Sequence, residues 1–477
     1  MKVQTQYFRT RAREALLDQQ LQTNLARLGV RFKGLRDLAF AQLDDAEGLR
    51  EQAKAVKERS MANLPQLLET LEKRVQEAGG VVHWARTAEE ARRIIGELVR
   101  GGSVRSVVKG KSMVTEEIGL NEYLTGLGVD VWETDLGEFI IQLAGEPPSH
   151  IIAPAIHKSK EEIAQLFSSK LGVSEADSPE QLTEIARETL RQRFLGADMG
   201  ITGANMAVAE TGSIVLLENE GNIRLSTTVP RIQVVLMGIE KVIPTLEDMA
   251  ILLAVLPRSA TGQKLSSYVS IITGPRREGE ADGPQEFHLV ILDNGRSRIL
   301  ADPDRRQTLH CIRCGACLNV CPVYRKVGGH SYGWAYSGPI GSVLTPQLVP
   351  AKKAWILPFA TTLCGACAEV CPVKIDLPKL LLTMRWRLME DRTWDGAVPF
   401  QEKIFFFLFG WLASHPGLYS LASSVMRTVQ RAIAPDGKWR VLPPPLSRWA
   451  RTRRIPTFAT PFSKRWPKFN RRVPSRS

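Results

Sequence analysis

Cysteine is missing from most of this chain. All seven cysteines of the 477 residues lie between positions 311 and 371. Secreted disulfide frameworks spread paired cysteines through short chains, and a long chain with an odd, clustered set does not fit that class. The clustering indicates metal ligation by thiolates in a reducing compartment.

Long hydrophobic runs are also missing. No stretch approaches 18 consecutive apolar residues, so we predict no membrane-spanning helix. The opening residues MKVQTQYFRT lack the apolar core of a secretory signal, which favours a cytoplasmic location. The most apolar segment, IFFFLFGWLA at 404–413, is too short to cross a bilayer. Two interpretations of it stay open: docking onto protein, or peripheral contact with the inner face of the membrane.

Acidic residues are scarce at one end of the chain only. The net charge is +13, and residues 401–477 hold 15 Lys and Arg against 2 Asp and Glu, so the first 400 residues are neutral overall. Basic and aromatic residues alternate at 464–472, as in some nucleic-acid-binding segments, but no DNA-binding motif accompanies them. We therefore expect no nucleic-acid partner.

Nucleotide-binding fingerprints are absent too. No G-x-G-x-x-G follows a predicted strand, and Gly110-Lys111-Ser112 does not complete a phosphate-binding loop because Arg105 stands where the first glycine is required. The sequence therefore predicts neither a nicotinamide site nor a P-loop.

The first cysteine run has the spacing C-x2-C-x2-C-x3-C-P over residues 311–322. This spacing wraps a loop around a cubane cluster, so that three thiolates reach one cluster and the fourth reaches another. Gly315 lets the backbone pass close to the inorganic sulfides. The second run, C-x2-C-x3-C-P at 364–372, repeats the last three cysteines, and Thr361 stands where its first cysteine is missing.

Two interleaved iron–sulfur clusters are the preferred interpretation. A structural zinc site, the alternative, takes four ligands in two pairs and matches this spacing poorly. The fourth ligand of the second cluster is open, which allows a three-iron cluster or a four-iron cluster with a ligand other than cysteine. The predicted ligands are Cys311, Cys314, Cys317 and Cys371 for cluster one, and Cys321, Cys364 and Cys367 for cluster two.

Hydrophobic periodicity predicts the architecture of the rest. Residues 1–70 have helical apolar spacing. From about Gly80, short apolar runs alternate with the amphipathic stretches 87–100 and 158–171, which predicts a parallel α/β sheet. Further helices are predicted at 245–256 and 376–390. The predicted strands cover residues 81–84, 104–108, 129–132, 150–153, 213–218, 232–237, 268–273 and 287–292.

Together these segments resemble the lactate utilisation protein B family over nearly the whole chain. The residues that carry the resemblance outside the cysteines are KGKSMVTEE at 109–117, ETDLGE at 133–138, GANMAVAETGS at 203–213, Arg224, and Pro230-Arg231. The resemblance implies an α/β (LUD) domain similar to the sugar-phosphate isomerase and CoA-transferase layer. The implied organisation is an N-terminal helical segment over 1–70, the LUD-type α/β domain over 71–295, a helical ferredoxin-type two-cluster domain over 296–392, and a basic C-terminal region over 393–477.

The same resemblance implies a role in oxidising L-lactate to pyruvate. It implies two partner subunits, a CCG-type iron–sulfur protein and a protein that consists of the LUD domain alone. Another 2-hydroxy acid such as glycolate remains an alternative substrate, because no residue of the sequence indicates the size of the substrate's side chain. A catalytic role of the α/β domain itself also remains open.

Candidate ligand-binding and catalytic residues in the α/β part are fewer and weaker. Lys109 and Lys111 follow a predicted strand, where open α/β sheets bind ligands, and could hold a carboxylate or phosphate; the alternative is that both are solvated and the glycines only shape turns. Glu210 could act as an acid, base or nucleophile; the alternative is an exposed turn residue. His150 and His157 flank an apolar stretch and are interpreted as hydrogen-bonded loop histidines rather than bases.

Overall fold

The computed structural model describes residues 2–174, 176, 178–390, 400–433, 438–439, 455–457 and 459. The chain forms two compact units, Met1–Ala397 and Val398–Ser477. The first unit contains all seven cysteines and is described first.

Helices form the N-terminal part, as predicted. Asp18 and Asp45 begin two of them, because their carboxylates accept hydrogen bonds from the first-turn amides of Leu21 (2.9 Å) and Gly48 (2.7 Å). The helices are α1 (Phe8–Leu17), α2 (Gln19–Ala41), α3 (Ala46–Ala62) and α4 (Leu64–Glu77).

A six-stranded parallel sheet is the centre of the first unit. Its central strands are apolar and buried on both faces, as expected of a parallel sheet covered by helices. The spatial order is β1-β10-β7-β4-β2-β3, and every pairing is parallel. The strands are β1 (Val81–Ala85), β2 (Ser106–Lys109), β3 (Asp130–Glu133), β4 (Met199–Thr202), β7 (Ile232–Gly238) and β10 (Glu286–Leu292).

A second, four-stranded sheet was not predicted. In the order β8-β5-β6-β9 it pairs β5 with β8 in parallel and the other neighbours antiparallel. Its strands are β5 (Met206–Val208), β6 (Ser213–Glu218), β8 (Val242–Ile243) and β9 (Tyr268–Ile272). Two of these strands are only two or three residues long, too short for a periodicity signal.

Helices surround both sheets. Those predicted at 87–100, 158–171 and 245–256 are present with bounds shifted by up to four residues. The helices are α5 (Ala88–Gly101), α6 (Met113–Ile118), α7 (Leu120–Gly126), α8 (Leu136–Ala144), α9 (Lys160–Leu171), α10 (Pro179–Leu195), α11 (Asn222–Thr228), α12 (Leu246–Ala260) and α13 (Arg296–Ala301).

The strand predicted at 150–153 is wrong, because this segment is a loop. The imidazole Nδ1 of His150 accepts hydrogen bonds from the backbone amides of Ile152 (3.0 Å) and Ala153 (3.2 Å). Amides that donate to a local side chain cannot join a sheet ladder.

Short helices connect the cysteines. They are α14 (Ala316–Val320), α15 (Tyr324–Val327), α16 (Gly338–Leu348), α17 (Ala351–Ala354), α18 (Ala366–Glu369) and α19 (Leu377–Glu390). One continuous apolar core joins them to the N-terminal helices and to α12, with members such as Phe8, Leu25, Leu252, Ile312 and Met384. The cysteine segment is therefore packed into the first unit.

The second unit consists, within its described residues, of two helices and a short hairpin. The helices are α20 (Phe400–Ser414) and α21 (Pro416–Ile433), and the hairpin pairs β11 (Lys438–Trp439) with β12 (Ile455–Pro456). Over the described part of the chain, no single helix has the length and apolarity to cross a membrane; α20 and α21 together meet that criterion but are bent by 103°. The apolar segment 404–413 lies in α20, and its docking or membrane contact stays a prediction.

Candidate iron–sulfur centre and adjoining cavity

The first cysteine loop has the backbone shape that a cluster ligand loop requires. Arg313 and Gly315 both have left-handed φ angles, +63° and +74°. The turn points the Arg313 amide at Cys311, with a distance of 3.4 Å between its nitrogen and Sγ. A backbone N–H directed at a thiolate sulfur stabilises the charged form and tunes an attached cluster.

Four of the cysteines line a single cavity: Cys311, Cys314, Cys317 and Cys371. Burial raises the pKa of Cys314 and Cys317 well above the usual thiol value, and raises the pKa of Cys371 to about 11. Buried thiols of this kind ionise only when a positive charge replaces the proton, as iron does. The donor set therefore fits an iron–sulfur cluster.

The other three cysteines lie near one another on the neighbouring loops. Burial, together with the neighbouring charges of Cys321 and Cys364, raises the pKa of Cys367 to about 12. The backbone amide of Tyr324 donates to the Cys321 sulfur at 3.4 Å. Cys364 is exposed, whereas Cys321 and Cys367 are buried. This second set therefore opens to the surface.

Thr361 occupies the position in the second loop that Cys311 occupies in the first. The Leu363 amide donates to Thr361 Oγ1 at 3.1 Å, two residues along, as the Arg313 amide donates to Cys311 Sγ. Leu363 also has a left-handed φ of +54°, and Gly365 repeats the left-handed turn at +87°. The second loop thus keeps the ligand-loop shape with a hydroxyl in place of a thiol.

A buried network of charges connects the first cysteine loop to the α/β domain. Arg296 donates to Glu240 (2.7 Å) and to both carboxylate oxygens of Glu117 (2.9 and 2.7 Å). Arg313 donates to Glu240 (3.3 Å) and stacks on Tyr336, whose hydroxyl donates to Glu117 (2.6 Å). Because every member is buried, the network fixes where the loop sits.

Comparison with known proteins identifies the family. The LUD domain model matches residues 68–292, and the 4Fe-4S dicluster domain model matches residues 307–375. Lactate utilization protein B of Bacillus licheniformis is 46% identical over 457 residues, covering 96% of this chain and 95% of that protein. The chain belongs to the lactate utilization protein B family.

Further relatives agree with this assignment. The lactate utilization protein B chains of Bacillus velezensis and Bacillus subtilis are 45% and 44% identical, each covering 96% of this chain and 95% of the relative. Among solved structures, a DUF162 family protein from Deinococcus radiodurans is similar with a TM-score of 0.28 and 14% identity, covering 48% of this chain and 98% of that one. Membership gives the chain an iron–sulfur role in lactate utilisation.

The two lysines that mark the family motif at 109–117 lie in different environments. Lys109 is fully buried and forms ion pairs with Glu133 (2.7 Å) and Glu116 (3.5 Å). Burial alone lowers the pKa of Lys109, but Glu133 and its neighbouring carboxylates raise it overall. Its charge is used inside the protein, so the structure does not offer Lys109 to a ligand.

Lys111, in contrast, lines a cavity of about 400 Å³ that adjoins the first cysteine loop. Its ammonium donates to the backbone oxygen of Ile152 at 2.7 Å. Arg313 and Ile151 line both this cavity and the cysteine cavity. The prediction of ligand binding therefore has structural support at Lys111.

The remaining candidate residues have structural partners. Glu210 is exposed, and its carboxylate accepts a hydrogen bond from the Leu246 amide at the start of α12 (3.1 Å), which favours the turn interpretation. His150 lies within hydrogen-bonding distance of Asn319 (3.1 Å), and burial lowers the pKa of His150 to about 3, so its ring is neutral. His157 contacts Glu146 at 2.6 Å.

Glu240, Lys241 and Arg313 belong to the buried network or the adjoining cavity, and sequence reasoning missed them. Glu240 and Lys241 follow β7 directly, at the carboxyl end of a central parallel strand. That position was the available signal, since open α/β sheets bind ligands beyond the carboxyl ends of their strands. Arg313 lies between two predicted ligand cysteines, and nothing in the cysteine spacing marked it as a residue of the cavity.

Proposed function

We propose that the chain is the iron–sulfur electron-transfer subunit of a complex that oxidises L-lactate to pyruvate. The observation that carries this proposal is the cavity lined by four cysteines, packed against a LUD domain in a chain of the lactate utilization protein B family. Thiolate-held iron–sulfur clusters supply one-electron transfer when bound.

The ligand assignment is part of the proposal. Cluster one is held by the four cysteines that share the cavity, Cys311, Cys314, Cys317 and Cys371. Cluster two is held by Cys321, Cys364 and Cys367, with Thr361 at the fourth position. Both are [4Fe-4S] clusters if the Thr361 hydroxyl or another oxygen completes the second set, and the second is [3Fe-4S] if it does not.

Electron counting argues for partner subunits. Oxidation of lactate to pyruvate releases two electrons, whereas each cluster accepts one. The sequence has no nicotinamide fingerprint, so we propose that a two-electron centre lies in a partner subunit; the alternative is a cofactor that the α/β domain binds without a recognised motif. We propose the CCG-type iron–sulfur protein and the LUD-only protein as those partners.

A second candidate is that the LUD domain oxidises the hydroxy acid itself. The cavity beside the first cysteine loop, with Lys111 in its wall, is the observation that favours it. Under this alternative the isolated chain, with its clusters intact, reduces a dye when L-lactate is added.

The test is anaerobic purification of the chain alone and together with both partners. We expect about seven to eight irons per chain. We expect L-lactate to reduce the clusters only when the partners are present, measured by electron paramagnetic resonance. Dye reduction by the chain alone would establish the second candidate. A colourless chain that contains only zinc, or an assembled complex inert to L-lactate, overturns the proposal.

A further inference from the structure

The cavity beside the first cysteine loop contains a lysine whose ammonium forms no hydrogen bond or close ion pair with the described residues. Lys241 lines this cavity and is 8% exposed. Among the residues that the structure describes, none accepts a hydrogen bond from its ammonium or pairs with it at ion-pair distance. A buried ammonium without an acceptor is costly, and a bound anion removes that cost.

A second unused donor lies in the wall of the same cavity. Arg313 gives one guanidinium nitrogen to Glu240, but its Nη1 is buried and has no hydrogen-bond partner in the described part of the chain. Lys111 adds a third positive charge, and its ammonium donates to a neutral acceptor, the carbonyl oxygen of Ile152. Lys241, Arg313 and Lys111 thus line one cavity, and the first two keep hydrogen-bond donors that no described residue uses.

The carboxylates that line this cavity accept hydrogen bonds from backbone amides and do not pair with its cations at ion-pair distance. Glu218 accepts from two amides at the start of α11, at 2.6 and 2.7 Å. Asp135 accepts from an amide at the start of α8 at 3.1 Å, and Glu220 accepts from the Leu136 amide at 3.0 Å. Since none of these acids pairs with Lys111 or Lys241 at ion-pair distance, the cationic side of the cavity keeps its charge for a ligand.

We propose that this cavity binds a small organic anion through its carboxylate or phosphate, with Lys241 as the main contact and Lys111 and Arg313 as supporting donors. The volume of about 400 Å³ lies within the range of small-molecule sites. Because Arg313 and Ile151 also line the cysteine cavity, the ligand lies next to the first cluster site. The site concerns binding alone, so it is independent of which subunit oxidises lactate.

Calorimetric titration of the anaerobic, cluster-loaded full-length chain tests the site. The probes are L-lactate and pyruvate for a carboxylate, and inorganic phosphate for a phosphate group. We expect saturable binding in one of the two arms, and that arm identifies the anionic group. We also expect the bound probe to change the resonance signal of the reduced protein, because the site adjoins the first cluster.

Variants separate ligand binding from general charge. Lys241→Gln is expected to weaken binding by about tenfold or more, the usual effect of losing a charged hydrogen bond. Lys241→Arg keeps the charge and is expected to retain binding. Lys111→Gln, which also removes a cation of the cavity, replaces Lys241→Gln should that variant fail to fold. The control Lys170→Gln, at an exposed position in α9, is expected to bind like the parent protein.

Two results overturn the proposal. One is the absence of saturable binding in every arm while iron content is normal. The other is equal affinity for the parent protein and both Lys241→Gln and Lys111→Gln. In either case the Lys241 ammonium acts on the first cysteine loop only and does not bind a ligand. Failure of lactate oxidation by the complex has no bearing on these binding results, so the two proposals fail separately.

Discussion

Glu240 is the central acceptor of the buried charge network, and its replacement by glutamine is the sharpest perturbation of the fold. The side chain is 1% exposed and accepts hydrogen bonds from Arg296 and Arg313. Burial alone would raise the pKa of Glu240, but the positive charges of Arg296, Arg313 and Lys241 outweigh it and lower the pKa to about 2. Glutamine keeps the shape and removes the charge.

The pKa shift gives the expected magnitude. A displacement from 4.5 to about 2 corresponds to a contribution of about 3 kcal/mol to the free energy of unfolding. Breaking a buried ion pair by removing one partner costs a similar amount, about 3–5 kcal/mol. Since the folded pKa is depressed, this stability is fully present above pH 4.5 and is lost as the pH falls toward 2.

Anaerobic urea unfolding of cluster-loaded protein measures the effect. We expect Glu240→Gln to lower the unfolding midpoint strongly at both pH 6 and pH 8, because the carboxylate is fully ionised at both. The loss is expected to be larger at pH 6, because burial lowers the pKa of the neighbouring Lys57 to about 7 and of Lys241 to about 8, so both ammonium groups are charged there. The matched control is Glu97→Gln, which removes an exposed acid paired with Arg93 at 2.9 Å. Exposed pairs of this kind contribute about 0.5 kcal/mol or less.

The reasoning is refuted if Glu240→Gln and Glu97→Gln unfold at the same urea concentration. It is also refuted if the difference between Glu240→Gln and the parent protein vanishes between pH 8 and pH 6. That second result would mean that the carboxylate takes up a proton well above pH 4.5, contrary to its pairing with two arginines.

Three further predictions concern the cysteine loops. Thr361→Cys is expected to convert three-iron resonance signals into four-iron signals, because the hydroxyl already lies at the ligand position; unchanged signals would contradict this. Gly315→Ala is expected to speed iron loss to a chelator more than Gly365→Ala, since both have left-handed φ angles but only at Gly315 does an added Cβ meet a neighbour, Ile152, at 3.1 Å. Because Cys364 is exposed, we expect a chelator to remove iron from the second site before the first. Time-resolved spectroscopy measures the order of loss.

The strands and helices that could be predicted were those with a hydrophobic pattern visible in the local sequence. Seven strands and three long helices of the α/β domain were predicted near their true bounds, because each is long enough for its periodicity to be visible. The segment at 150–153 had the composition of a strand but forms a loop, since the His150 ring captures the amides that a ladder needs. That competition between side chain and sheet is invisible in composition.

The cysteine spacing predicted the iron–sulfur site because ligand loops are local in sequence. The adjoining cavity was not predictable in the same way. Lys241 and Arg313 are more than seventy residues apart, and the contact of Arg313 with Glu240, the neighbour of Lys241, brings them to one wall. Lys109 and Lys111 looked equivalent in sequence, yet β2 ends at Lys109, whose side chain enters a buried carboxylate cluster, whereas Lys111 lies in the following loop at the cavity.

The buried network ties the first cysteine loop to the α/β domain, so these two parts of the first unit keep a fixed arrangement. Arg313 stands between Cys311 and Cys314, two proposed cluster ligands, and is tied through Glu240 to Arg296 in the α/β domain. The first cysteine loop therefore cannot shift relative to the cavity without breaking buried ion pairs, which costs several kcal/mol. A ligand beside Lys241 would hold a constant distance from the first cluster site, and rates of electron transfer depend on that distance being kept.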